Sequence, residues 1–461
     1  MSQRVADHLG GQLDAIIDRL GQYVACASVS ADPQFEPGMQ AARDFLTHRL
    51  AEIGLENVQL LDGGGHKAVY ADWLHAPGKP TLLVYGHYDV QPPDPLPAWD
   101  SDPFVLTRKG DRLYGRGASD NKGSSTIAIE SLAAYLAIEG GFPFNIRCLF
   151  EGEEEVGAVS LPAIFERYRD LLKADLVLSA DGGRNGFWPA INVGCRGVHA
   201  LEVTLKTSAM RDLHSGRYGG TTRNALHDMA RLLATLHDED GRVTVEGFLP
   251  EAALPTAQQR QHAAELNMDE AAFFATFGGI AHGYPEYTSI ERLTLMPTLE
   301  INGLWGGYTG PGSKTVIPNE AHAKITIRLV AGQDPKATAE AVMRHLEAKA
   351  PEGTGVAIMS DRGGAPAYSL DEGSPLVIAA DRILRQITGE APVRVRSGGT
   401  SPITSTIREL LGIDTLMFGF SLPADGVHAP NESYAINSIR EGIVCWPLML
   451  TELGRVWNES K

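Results

Sequence analysis

Four short apolar runs, at 81–85, 145–150, 174–179 and 414–418, are each followed by a loop that carries histidine or acidic residues. Helix-like stretches separate the early runs, the clearest at 124–139 with Ala and Leu at helical spacing. Strands that alternate with helices build βαβ units and a mostly parallel sheet. In such a sheet, sites gather outside the carboxyl ends of the strands. His87 and Asp89 follow the first run. Glu151, Glu153, Glu154 and Glu155 follow the second, Asp181 follows the third, and His428 lies in a loop after the fourth. Taken singly, each is an ordinary solvated loop residue. The convergence of four strand ends is what points to a site.

The pattern changes near residue 198. The stretch 199–206 alternates apolar and polar residues, as a half-buried strand does, and so do 293–301 and 321–330. Helical segments are predicted at 224–236 and 337–350. These elements predict a smaller α+β domain over 198–366. It is inserted into a larger α/β catalytic domain made of 1–197 and 367–461, which closes in a helix near 432–453.

Composition narrows the classes. A length of 461 residues fits two or three domains of about 100–200 residues each. Lys and Arg number 40 against 57 Asp and Glu, a net charge of −17, which repels nucleic acid and anionic lipid. Cys26, Cys148, Cys195 and Cys445 form no CxxC pair, so a disulfide scaffold is not expected. The first residues read as an amphipathic helix, with Leu13, Ile16, Ile17, Leu20 and Val24 at helical spacing, and not as a secretory leader. No run of about 18 apolar residues predicts a membrane span. The expectation is a soluble, cytoplasmic protein.

Asp120 sits in Gly115-Arg116-Gly117-Ala118-Ser119-Asp120-Asn121-Lys122-Gly123, just before the helical stretch. It is either a helix N-cap or a carboxylate that bridges two cations. Two imidazoles with three carboxylates suit a pair of divalent metals such as zinc or manganese. Glu154 and Glu155 are adjacent and on a regular element point in different directions. One could ligate metal while the other serves as a general base, or the run could be a charged surface. Asp89, two residues after His87, shares its face on an extended stretch. It could fix the imidazole tautomer, or be a turn residue before Pro92-Pro93. Rival motifs fail. The Gly115 segment lacks the last glycine of a dinucleotide fingerprint, and there is no Walker A sequence and no HExxH helix. The segment around Ser119 looks like a nucleophile elbow but has Asn121 where glycine belongs.

Seven segments, in order along nearly the whole chain, resemble the M20 family of metallopeptidases, and within it the carnosinase-like cytosolic dipeptidases. They include Gly86-His87-Tyr88-Asp89-Val90-Gln91-Pro92, the Asp120 segment, Glu151-Gly152-Glu153-Glu154-Glu155-Val156-Gly157 and Asp212-Leu213-His214-Ser215-Gly216. Lys314-Thr315-Val316-Ile317-Pro318, Ile327-Arg328-Leu329-Val330 and His428-Ala429-Pro430-Asn431-Glu432 complete the set.

The resemblance implies two divalent metal ions, zinc first, with manganese or cobalt as substitutes. His87, Asp120 and Asp181 would hold one; Asp120, Glu155 and His428 would hold the other, with Asp120 shared. Glu154 would be the general base and Asp89 would orient His87. The Asp120-Asn121 peptide is often cis in this family. The inserted segment would serve as lid and dimerisation domain of a homodimer. His214 would reach the partner's site and polarise the scissile carbonyl. Arg328 would take the carboxylate of a small peptide substrate, helped by Thr315 and Thr400. The activity implied is hydrolysis of dipeptides or short peptides with a free C-terminal carboxylate. Deacylation of N-acyl amino acids would use the same residues and is the alternative.

Overall fold

The apolar runs fold as neighbouring strands of one six-stranded sheet. The computed structural model describes residues 2–184, 186–360 and 364–459. It divides the chain into two compact units, one of Met1–Val193, Leu370–Val395 and Thr406–Lys461, the other of Gly194–Ser369 and Arg396–Ser405.

The first unit holds the strands β1 (Glu56–Leu61), β2 (Ala68–Trp73), β3 (Thr81–His87), β4 (Asn145–Glu151), β5 (Leu176–Ser179) and β6 (Thr415–Met417). Their order across the sheet is β1-β2-β4-β3-β5-β6. Strands β4, β3, β5 and β6 are parallel, and β2 and β1 continue the sheet antiparallel. The parallel strands read as continuous apolar runs because both faces are covered: Leu83, Val84, Tyr85 and their neighbours in β4 and β5 are buried. Register then fixes the site. His87 pairs with Glu151, and Tyr85 lies level with Leu149 and Ser179. Three carboxyl ends therefore open on one edge of the sheet.

The helix Lys122–Glu139 is buried from Lys122 through Leu132 and ends on Gly140, whose φ of 72° is the left-handed conformation that caps helices. The long helix Ile436–Glu459 packs on it with Ile439, Ile443, Trp446, Leu450 and Leu453 inward. A Cβ at Gly442 would lie 2.7 Å from Ile127 Cδ1, so glycine permits the close crossing.

The second unit is α+β. Its antiparallel sheet has the order Thr298–Gly306, Glu320–Leu329, Gly197–Thr207, Thr354–Ser360. One face alternates inward with Leu201, Val203, Leu205, Ala323, Ile325 and Ile327. These pack with Met229 and Leu232 of the helix Ala225–Ala234 and Val342 and Leu346 of the helix Pro335–Lys349. That one-sided burial is the period-two pattern of the sequence.

Two expectations on local structure need correction. The stretch 293–301 is not one strand: Ser289–Leu295 is a helix and the strand begins at Thr298. A capping box starts that helix, with Glu291 N–H donating to Thr288 Oγ1 and Thr288 N–H to Glu291 Oε2. The terminal helix does not begin at 432, because Ser433–Ala435 pairs antiparallel with Arg112–Tyr114 and the helix starts at Ile436. Among the described residues no helix is long and apolar enough to cross a membrane.

Candidate active site

His87 ends β3 and is fully buried. Its Nδ1 lies 3.1 Å from the main-chain oxygen of Asp89 and 3.4 Å from Asp89 Oδ1. The carbonyl is thus the nearer partner, and the carboxylate is the second. Asp89 is itself fixed, its Oδ2 accepting from Ser30 Oγ at 2.7 Å and from Glu155 N–H at 3.1 Å. A proton on Nδ1 turns the Nε2 lone pair outward. That Nε2 stands 3.1 Å from Oδ1 of Asp120.

Asp120 precedes the helix Lys122–Glu139 but does not cap it; Asn121 occupies the cap position. The Asp120–Asn121 peptide is cis. The Asp120 carboxylate presents its other oxygen, Oδ2, to Nε2 of His428 at 3.1 Å. His428 Nε2 also lies 3.2 Å from Glu155 Oε2. Two groups of potential metal donors result, each with its ligand atoms within 4.8 Å of one another: His87, Asp120 and Asp181, and Asp120, Glu155 and His428. Asp120 belongs to both. Each group has one imidazole nitrogen and carboxylate oxygens, the donor set that zinc and manganese accept.

The electrostatics explain why these groups suit cations. Burial, reinforced by the charge of Asp120, pushes the Asp181 carboxyl up to about 6. Burial and the charges of Asp181, Asp120 and Glu155 hold the Glu154 carboxyl well above the usual range, against the pull of His87. Hydrogen bonds to Asp120 and Glu155 push His428 up to about 10. Burial opposes the charged form of His87, yet Asp120 and Asp89 raise it well above the ordinary value. Four carboxylates this close repel one another unless positive charge sits among them. Imidazolium protons supply some of it; two divalent cations would supply more.

Glu154 and Glu155 share the short 3₁₀ turn Glu154–Val156 after β4. Glu155 faces His428 and accepts at Oε2 from Gln91 Nε2 at 3.0 Å. Glu154 belongs to neither donor group. Ser119 is buried and its Oγ donates to Asp425 at 2.9 Å, so the nucleophile-elbow arrangement is absent there.

One residue escaped the sequence reading. Glu432 is fully buried and accepts four donors from the Asp120 loop: Arg116 Nη1 at 2.7 Å, and the N–H groups of Gly117 and Ser119 at 2.9 Å and of Asp120 at 3.0 Å. It lies four residues after His428. The only signal available was an acidic residue inside a recognised motif.

The other residues singled out lie in the second unit. His214 is exposed and pairs with Val316 in a two-stranded ladder. Its Nδ1 accepts from Gly216 N–H at 3.0 Å, so the ring carries its proton on Nε2 when neutral. The main-chain oxygen of Thr315 accepts from Ser215 N–H at 3.1 Å, which sets Thr315 beside this turn. Arg328 Nη1 donates to Thr400 Oγ1 at 2.9 Å. The structure thus brings together His214 with Thr315, and Arg328 with Thr400.

Residues 83–452 match the model of Peptidase family M20/M25/M40. The chain is 29% identical to the Beta-Ala-His dipeptidase of Homo sapiens, over 98% of this chain and 93% of that one. It is 28% identical to the Cys-Gly metallodipeptidase of Schizosaccharomyces pombe, over 96% of each. Among solved structures, an M20 family metallo-carboxypeptidase from Sulfolobus solfataricus aligns with a TM-score of 0.82, at 30% identity over 95% of this chain and 99% of that one.

Proposed function

The chain belongs to peptidase family M20/M25/M40, and from that premise we propose that it is a dinuclear metallodipeptidase, cleaving dipeptides or short peptides that end in a free carboxylate. One observation carries the reading: the two oxygens of Asp120 each face a different imidazole, with a carboxylate outside both donor groups, Glu154, next to Glu155. Two of the relatives named above are dipeptidases and the solved structure is a carboxypeptidase. Both kinds of enzyme act on the bond preceding a C-terminal residue, which favours a site for the terminal carboxylate.

His87, Asp120 and Asp181 would hold one cation, and Asp120, Glu155 and His428 the other, with zinc the first candidate and manganese and cobalt the alternatives. Bound there, divalent cations supply Lewis-acid polarisation and lower the pKa of water towards about 7. The residues do the rest. Asp89 holds His87 in the ligating tautomer. Glu154 takes the proton of the attacking water and returns it to the leaving amine. His214, a donor at Nε2, polarises the scissile carbonyl of the partner subunit's substrate in a homodimer; such a preorganised donor is typically worth about 3–4 kcal/mol. Arg328, with Thr315 and Thr400, takes the substrate carboxylate. The four cysteines are all free, which supports a reducing compartment such as the cytoplasm.

The test is a substrate panel on the purified protein: free-amine dipeptides, N-acyl amino acids, and dipeptides whose C-terminus is amidated. Turnover of the first class is expected. Turnover of N-acyl amino acids alone would replace the dipeptidase reading with a deacylase.

A further inference from the structure

Arg196 is a cation in an unusual setting. It is 9% exposed and lies just before the strand Gly197–Thr207. Its Nε–H donates to the main-chain oxygen of Gly398 at 2.9 Å, and its own N–H to that of Ser397 at 3.1 Å. Gly398 is packed against it, since a Cβ there would stand 3.4 Å from Arg196 Nη2. The other end of the same loop meets a second guanidinium, through the bond from Arg328 Nη1 to Thr400. The 397–400 loop is therefore gripped by two arginines. Register keeps them close: Arg328 is the partner of Val198, two residues on from Arg196.

Neither guanidinium forms an ion pair with a carboxylate among the described residues. Burial, and then the charge of Arg328, push Arg196 down to about 10, with only Glu300 pulling the other way. A like charge beside a mostly buried guanidinium raises the cost of keeping Arg196 charged. An anion arriving beside them relieves that cost. A neutral group does not.

We infer that Arg196 is a specificity-determining residue of the carboxylate subsite, supplying a second positive charge beside Arg328 that makes the enzyme require a charged C-terminus. The inference rests on the reading of Arg328 as the residue that takes the substrate carboxylate. It adds that the requirement is set by two charges, one of which also anchors the loop carrying Thr400.

The experiment compares a dipeptide with its C-terminal amide on wild type, R196Q, R196K and R328Q. Wild type should favour the free carboxylate. R196Q should lose about tenfold or more of that preference. The loss should come chiefly from a higher KM for the carboxylate substrate and should exceed whatever loss the loosened 397–400 loop causes on the amide. R196K keeps the charge without the planar fork and should retain most of the preference. Equal losses on both substrates in R196Q would make Arg196 a loop brace only, and would overturn the inference. If R196Q does not fold, R196M, which keeps the length of the side chain without its charge, decides by the same comparison: a loss confined to the carboxylate substrate supports the inference, and equal losses on both substrates overturn it. A preference lost in R328Q but kept in R196Q overturns the inference and spares the role of Arg328. A wild type indifferent to the amide removes the carboxylate reading itself, and the inference with it.

Discussion

The main-chain N–H of Asp120 donates to Oε1 of Glu432 at 3.0 Å, across 312 residues of chain. Because Asp120 stands in both donor groups, whatever sets its loop sets both at once. Glutamine at 432 offers one acceptor oxygen where the carboxylate offers two, and leaves Arg116 without its counter-charge. Glu432→Gln should therefore lower the affinity for both metals together and cost about 1–3 kcal/mol of stability. Metal titration and denaturant melts measure the two effects. Two metals bound at undiminished affinity would show that Glu432 does not govern the loop.

Chelation should abolish activity, and zinc, manganese or cobalt should restore it. The motive is the pair of donor groups that share Asp120. Full turnover by a preparation shown to be metal-free by elemental analysis would sink the dinuclear proposal.

Glu154→Ala should remove turnover by orders of magnitude and leave two metals bound. Glu155→Ala should weaken the metal held with His428. A base acts on the proton of the water, whereas a ligand holds the ion. Equal metal loss in the two variants would mean that their roles are wrongly divided.

The exposed His214 leads to a subunit-mixing test. Each parent, His214→Ala or Glu154→Ala, should be nearly inactive. In a mixed dimer one site combines an intact Glu154 with an intact His214 from the other chain, and the second site carries both defects. Mixed dimers should approach half the rate of wild type. No recovery in verified heterodimers would place the action of His214 within its own chain, or nowhere.

Glu151 should make stability fall as pH rises. Burial, with the charge of Asp89 assisting and the hydrogen bond from Tyr85 Oη opposing, pushes its carboxyl up to about 8. The unfolded chain ionises near about 4.3. The folded state thus binds more protons between those values. Its contribution is fully present below the unfolded pKa and is lost as pH rises through about 8. Glu151→Gln keeps an acceptor for Tyr85 and removes the titration. Urea melts at several pH values should show a decline in wild type that is shallower in the variant; identical slopes would assign the decline elsewhere.

The strands that carry the site were legible because strands buried on both faces must be apolar throughout. The loops after 81–85, 145–150 and 174–179 then declared His87, Glu154, Glu155 and Asp181 by position. Long-range pairing was not legible. Ser433–Ala435 is a strand only because Arg112–Tyr114 lies beside it. Leu293 and Leu295 fit an alternating pattern as well as a helical turn, and the Thr288–Glu291 box that decides between them spans only four residues. Sequence alone leaves Asp120 open between a helix cap and a shared carboxylate; Asn121 occupies the cap position. The spacing of His87 and Asp89 suggested contact through the carboxylate, whereas the peptide oxygen of Asp89 is nearer, because main-chain groups leave no mark in a residue pattern.

The order of these residues along the chain has a consequence for synthesis. His87, Asp120 and Asp181 emerge early, but His428 and the loop-holding Glu432 come about three hundred residues after Asp120. A growing polypeptide can assemble one donor group yet neither its companion nor the clasp on their common aspartate. If these groups hold the proposed metals, hydrolysis would be withheld from unfinished chains, since a product terminated before residue 428 would carry one donor group of the two however well its first sheet had folded.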